Sequence, residues 1–132
     1  MSGRRFSCAL LLAALGVAGC GSYTTTSPTT VTSPVTEVWT GLIGSSGTAS
    51  RSFVTSQSGT VTVTLTSADA PLGIGIGVPR TANGGCRLTV SQVATGGTVL
   101  SIQAEAGAYC VQLYDDGAVV KQAGFGVQIV YP

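Results

Sequence analysis

No histidine occurs anywhere in these 132 residues, and charged side chains make up only 8 % of them. Without an imidazole the many serines lack their usual base, and no G-x-S-x-G elbow stands between a strand and a helix, so serine-based hydrolysis is excluded. The scarcity of charge removes a second class. With no basic stripe to neutralise phosphates, the chain is not built for nucleic acid. Nor does it carry a polybasic segment to grip anionic lipid. Aromatics are few, with one Trp, four Tyr and three Phe, and no residue pattern calls for a cofactor.

What is present begins at the N-terminus. Arg4-Arg5, an apolar run from Cys8 to Ala18 and a small-residue junction form the pattern of a secretory signal. That run is too short to span a bilayer. The junction Val17-Ala18-Gly19-Cys20 resembles the lipobox of bacterial lipoproteins, which implies cleavage after Gly19 and a lipid on the Cys20 thiol. Residues 1–19 are then a lipoprotein signal peptide forming the only helix. Residues 20–36 are the lipidated Cys and a Thr/Ser/Pro-rich linker, and 37–132 the folded domain. Gly21 is unlike the Asp retention signal of some Gram-negative lipoproteins, which points to the outer membrane or cell surface. Loss of Arg4 and Arg5 leaves four cations, Arg51, Arg80, Arg87 and Lys121, against five carboxylates, so the exported side chains sum to −1. Attachment to the membrane must therefore come from the lipid.

The four cysteines sort themselves on the same reading. Cys8 lies in the discarded segment and Cys20 is the lipid site, which leaves Cys86 and Cys110 as a pair in an oxidising compartment. A disulfide between them is expected. The alternatives are two buried thiols acting as small apolar groups, or a metal site. Two sulfurs without His and without C-x-x-C spacing fall short of the four ligands zinc wants, so no metal is expected.

From Gly21 to about Thr36 the chain is Thr, Ser and Pro with little else. Such a segment has too little to bury to offset its ordering entropy, and it reads as a disordered spacer. After it come short apolar alternations broken by Gly, Asn, Asp and Ser, the pattern of an all-β domain. The clearest strand is Gly59–Ser67, where Val61, Val63 and Leu65 alternate with threonines. Others are expected over 37–42, 50–55, 72–78, 87–93, 99–104, 108–114 and 124–131. About eight strands then form a single antiparallel β-sandwich.

Gly107-Ala108-Tyr109-Cys110-Val111-Gln112-Leu113-Tyr114 and the closing Phe125-Gly126-Val127-Gln128-Ile129-Val130 resemble the last strands of bacterial pre-peptidase C-terminal domains. Ser52-Phe53 and Gly59–Leu65 resemble the early strands of the same family. The likeness implies a jelly-roll-type sandwich that accompanies secreted enzymes or stands in surface proteins, some binding collagen or calcium. The Cys pair is not general to that family, and no peptidase precedes Glu37 in this sequence. Neither the enzyme partner nor the binding role therefore follows from the resemblance.

Strand alternation sets the Cys pair a problem. If Tyr109, Val111 and Leu113 face the core, Cys110 faces away, whereas Cys86 shares parity with Leu88 and Val90. A bridge is possible if Cys86 belongs to the Asn83-Gly84-Gly85 loop and not to the strand, which is the expected arrangement.

Other candidates resolve into structure. Gly73-Ile74-Gly75-Ile76-Gly77 lacks the spacing of a nucleotide loop, and no helix follows it. It reads as a strand whose Ile74, Ile76 and Val78 fill the core while its glycines admit a close neighbour. Asp115-Asp116-Gly117 reads as a turn before a calcium site. Glu105 and Asp69 are isolated. Trp39 is expected as a core anchor, with the alternative that Trp39 and Tyr114 offer an aromatic platform for a sugar. The function that fits is a membrane-anchored, non-catalytic binding or adhesion module recognising a glycan or protein. The alternative is a structural envelope protein that docks on another through an edge strand.

Overall fold

The structure, a computed structural model, describes residues 21, 23–28, 32–82 and 84–132. The expected signal helix and Cys20 lie outside the described residues. Residues 21, 23–28 and 32–34 are exposed and belong to neither helix nor strand.

Eight strands follow: β1 Val35–Gly44, β2 Thr48–Thr55, β3 Gly59–Ala68, β4 Leu72–Pro79, β5 Cys86–Ala94, β6 Val99–Ala104, β7 Gly107–Tyr114 and β8 Gln122–Tyr131. Each expected strand is present and most extend one or two residues further at an end. Period-2 alternation marks the buried half of a strand better than its frayed ends.

The strands form two four-stranded antiparallel sheets, in the orders β1-β8-β3-β6 and β2-β7-β4-β5. The chain therefore folds as one long hairpin: β4 pairs with β5, β3 with β6, β2 with β7 and β1 with β8. Further pairing of β8 with β3 and of β7 with β4 closes the two sheets. This is the jelly-roll order. It brings the start of β1, the end of β8 and the β2–β3, β4–β5 and β6–β7 connections to one end of the sandwich, here the near end. The other four connections mark the far end.

Alternation supplies the core between the sheets. Val61, Val63 and Leu65 of β3 and Val127 and Ile129 of β8 meet Ile74 and Ile76 of β4 and Val111 and Leu113 of β7, none of them more than 1 % exposed. Burial of each such side chain contributes about 1.5–3 kcal/mol. The threonines of β3 point outward, where Thr60 accepts a hydrogen bond from Gln103 Nε2 at 2.8 Å and Thr62 meets Ser101.

Where edge strands β1 and β2 flank the core, a polar cluster covers it. The Arg51 Nε donates to Glu37 Oε2 at 2.9 Å, and the Tyr131 hydroxyl donates to Glu37 Oε1 at 2.6 Å. Phe53 lies beneath, with its ring centroid 4.8 Å from that of Tyr131 and 6.0 Å from that of Tyr109. Thr55, at 2 % exposure, donates to the Glu105 carbonyl and accepts from the Gly107 N–H, which fastens the end of β2 to the β6–β7 turn. A buried hydroxyl satisfied on both sides is stable where an unpaired one would cost about 1–3 kcal/mol.

Candidate ligand-binding site

β4 is the middle of the site because three of its residues have no side chain on the outward face. Gly73, Gly75 and Gly77 are all buried, and the neighbouring strands have laid side chains and backbone over them. A β-carbon at Gly73 would fall in the Tyr114 ring, one at Gly75 would meet Leu88 at 2.8 Å, and one at Gly77 would collide with the Arg87 carbonyl. The expected close approach is therefore made across the whole strand. Ile74 and Ile76 fill the core as expected, but Val78 does not: it is 42 % exposed, because β4 has by then run past the end of the opposing core.

Over this glycine strand runs the Cys86–Cys110 disulfide, with Cα atoms 5.8 Å apart, inside the usual range for a bridge of about 4.4–6.8 Å. It links β5 to β7 across β4. The expectation that Cys86 sits in the preceding loop is corrected, since Cys86 is the first residue of β5 and pairs with Pro79. The parity problem is solved by a β-bulge. Gly77 pairs with Leu88 but Ile76 with Val90, so Thr89 is the extra residue and turns the first part of β5 over. Cys86 and Leu88 thus share the outward face with Cys110 and Gly77, while Val90 faces inward. The Thr89 hydroxyl donates to the Ile76 carbonyl at 3.1 Å and holds the bulge.

A second tie runs beside the disulfide: the Cys86 N–H donates to Gln112 Oε1 at 3.2 Å. Together they fix the base of the β4–β5 loop. The loop turns through Gly84 and Gly85 at φ +65° and +80°, conformations that favour glycine, and the Arg80 N–H closes it on the Gly85 carbonyl at 3.2 Å. Beside this loop is an open hollow of about 440 Å³ lined by Val78, Pro79, Arg80, Thr81, Ala82 and Arg87.

Two of the chain's few cations therefore border one hollow. Among the described residues the ion pair is Arg51–Glu37, so neither Arg80 nor Arg87 has a carboxylate within 4.0 Å. Asp69, Asp115 and Asp116 are at the far end, and Glu105, in the near-end β6–β7 turn, makes no ion pair with either arginine. Sequence reasoning missed this site. Its signal was available in two arginines flanking a Gly-Gly loop, one of them next to a half-cystine.

The aromatic pair is not brought together. Trp39 lies on β1 in the first sheet, packed on the core, with its ring edge-on to Phe125 at 4.9 Å. Tyr114 lies on β7 in the second sheet, its ring over Gly73. The core-anchor expectation describes Trp39, and the two rings share no platform. Asp115 acts in turns: its carboxylate accepts backbone N–H groups of Ser46, Gly117 and Val119 at 2.8–3.0 Å, which hold its pKa below the ordinary range, Ser46 foremost. Asp69 likewise accepts from the Gly124 N–H at 2.8 Å.

No family model and no curated protein matches the chain. Among solved structures, that of the Yersinia pseudotuberculosis-derived mitogen is similar, with 11 % identity over 75 % of this chain and 87 % of that one and a TM-score of 0.55. At that identity the likeness is one of fold. The chain is an all-β sandwich of the mitogen's general architecture, cross-linked by a disulfide of the kind that extracytoplasmic compartments preserve.

Proposed function

We propose that this protein is an exported lipoprotein, anchored through Cys20, whose sandwich is a non-catalytic binding module of the cell envelope. The observation that carries the binding role is the near-end β4–β5 loop: a rigid sheet, a disulfide and a side-chain hydrogen bond hold it, yet its arginines are engaged by no carboxylate. Recognition residues concentrate on loops fixed by such scaffolds. The β-sandwich, similar in fold to that of a bacterial mitogen, supplies a rigid scaffold for such a loop. The likeness of the strand motifs to pre-peptidase C-terminal domains suits a surface location as well.

The test is to offer purified mature protein to arrays of glycans, peptides and matrix proteins. Retention on one class, weakened by substitutions in residues 80–87, supports the reading; no retention on any class overturns it.

A specific observation favours the alternative of protein docking by strand addition. β1 is a ten-residue sheet edge whose one charge, Glu37, is taken by Arg51 and Tyr131, and whose Val38 and Leu42 are 68 % and 63 % exposed. Unprotected edges of this kind accept a further strand. Arrays that retain proteins alone, with Val38→Lys abolishing retention and loop substitutions leaving it intact, would select this alternative.

A further inference from the structure

The hollow beside the β4–β5 loop has a chemistry of its own, and its assignment rests on the binding-module reading. We infer that it takes an acidic saccharide, with the oxyanion held by Arg80 and Arg87 and the sugar ring against the loop.

The argument starts from charge. The exported chain has four cations, one of which is committed to Glu37. Two of the other three border the same hollow; Asp69, Asp115 and Asp116 are at the opposite end, and Glu105, at the same end, pairs with neither. Bringing like charges to one place is unfavourable until an anion joins them. Both are arginines, whose planar forks match carboxylate, sulfate and phosphate oxygens in pairs.

The remaining lining completes a sugar site. Val78, Pro79 and Ala82 give an apolar wall for the C–H face of a ring, and Thr81 adds a hydroxyl. At about 440 Å³ the hollow is the size of small-molecule sites, which run to roughly 300–1,000 Å³.

Preorganisation is built in from both sides. Val78 pairs with Arg87 and Pro79 with Cys86, so the two strands leading to Arg80 and Arg87 are locked in register. The disulfide then fixes Cys86, the immediate neighbour of Arg87, to β7. Fixing the backbone that carries both side chains before the ligand arrives removes part of the ordering cost of binding.

The test is titration of the full mature protein, in detergent, with glucuronate and glucose 6-sulfate, using glucose, inorganic phosphate and tetraglutamate as comparisons. The acidic sugars should bind at least tenfold more tightly than glucose or phosphate, and more weakly as salt rises. Arg80→Gln and Arg87→Gln should each cost tenfold or more while leaving the thermal midpoint unchanged. Equal binding of glucose and glucuronate overturns the role of the arginines. Phosphate as tight as the acidic sugars overturns the sugar, and tetraglutamate as the tightest ligand makes the site one for acidic peptide. If none of these binds while the arrays still retain the wild-type protein, the saccharide assignment fails and the binding module stands; if the arrays also fail, both fall.

Discussion

The ring of Tyr114 occupies the space that a side chain at Gly73 would need. Gly73 is extended backbone, the second residue of β4, where alanine would ordinarily be accepted, so the glycine is there for the ring. Gly73→Ala should therefore destabilise the domain by about 1–3 kcal/mol, as overpacking does. Combining it with Tyr114→Ala should cost less than the sum of the two single changes. Urea midpoints of the four proteins measure the coupling, and strict additivity would contradict the contact.

Cys86 and Cys110 are 24 residues apart in sequence, and their bridge should stabilise the fold by roughly 3 kcal/mol on the chain-entropy estimate. Reduction, or Cys86→Ser, is expected to lower the thermal midpoint while circular dichroism remains all-β. Thiol titration of the unfolded protein without reductant should find neither sulfur free.

Stability should fall at both extremes of pH, in part through one cluster. The Tyr131 hydroxyl, and after it the Arg51 guanidinium, hold the Glu37 pKa below its ordinary value. Its contribution is present above the unfolded glutamate value and is lost as pH falls through the lower, folded one. Glu37 in turn raises the Tyr131 pKa, so that contribution is full below the ordinary tyrosine value and is lost as pH rises through the raised one. Glu37→Gln should flatten the alkaline limb. It should flatten the acid limb only partly, because Asp115 is also depressed. Denaturation midpoints across about pH 3 to 11 would show both limbs.

Lipidation at Cys20 is a separate expectation from Val17-Ala18-Gly19-Cys20. Mass spectrometry of the membrane fraction should find an N-terminal Cys20 peptide bearing a diacylglyceryl group. A soluble mature form beginning elsewhere would end the lipoprotein reading.

Most of the sandwich was legible because Val61, Val63 and Leu65 alternate with threonine, and because turn residues separate the strands at regular intervals. The disulfide followed from which thiols were left after export. What did not follow was how the sulfurs meet. A bulge at Thr89 reverses the facing of everything before it in β5, and no local residue pattern distinguishes Thr89 from an ordinary strand threonine. The arginine hollow was missed for a related reason: the two arginines flanking the Gly-Gly loop are visible in the sequence, but that Arg80 and Arg87, seven positions apart, border one hollow depends on the pairing of Val78 with Arg87.

The last strand of the chain is not the last strand of a sheet. β8 lies between β1 and β3, so Val35 at the start of β1 pairs with Tyr131, 96 positions later. A chain that crosses a membrane from its N-terminus delivers β1 and β3 long before the strand that joins them. Until residues 122–131 emerge, the edges of β1 and β3 that β8 joins have no native partner, and such exposed strands are prone to wrong pairing. In an exported chain the first sheet would thus wait for its last ten strand residues, and a chain truncated before Gln122 would lose the join between β1 and β3 on which that sheet depends.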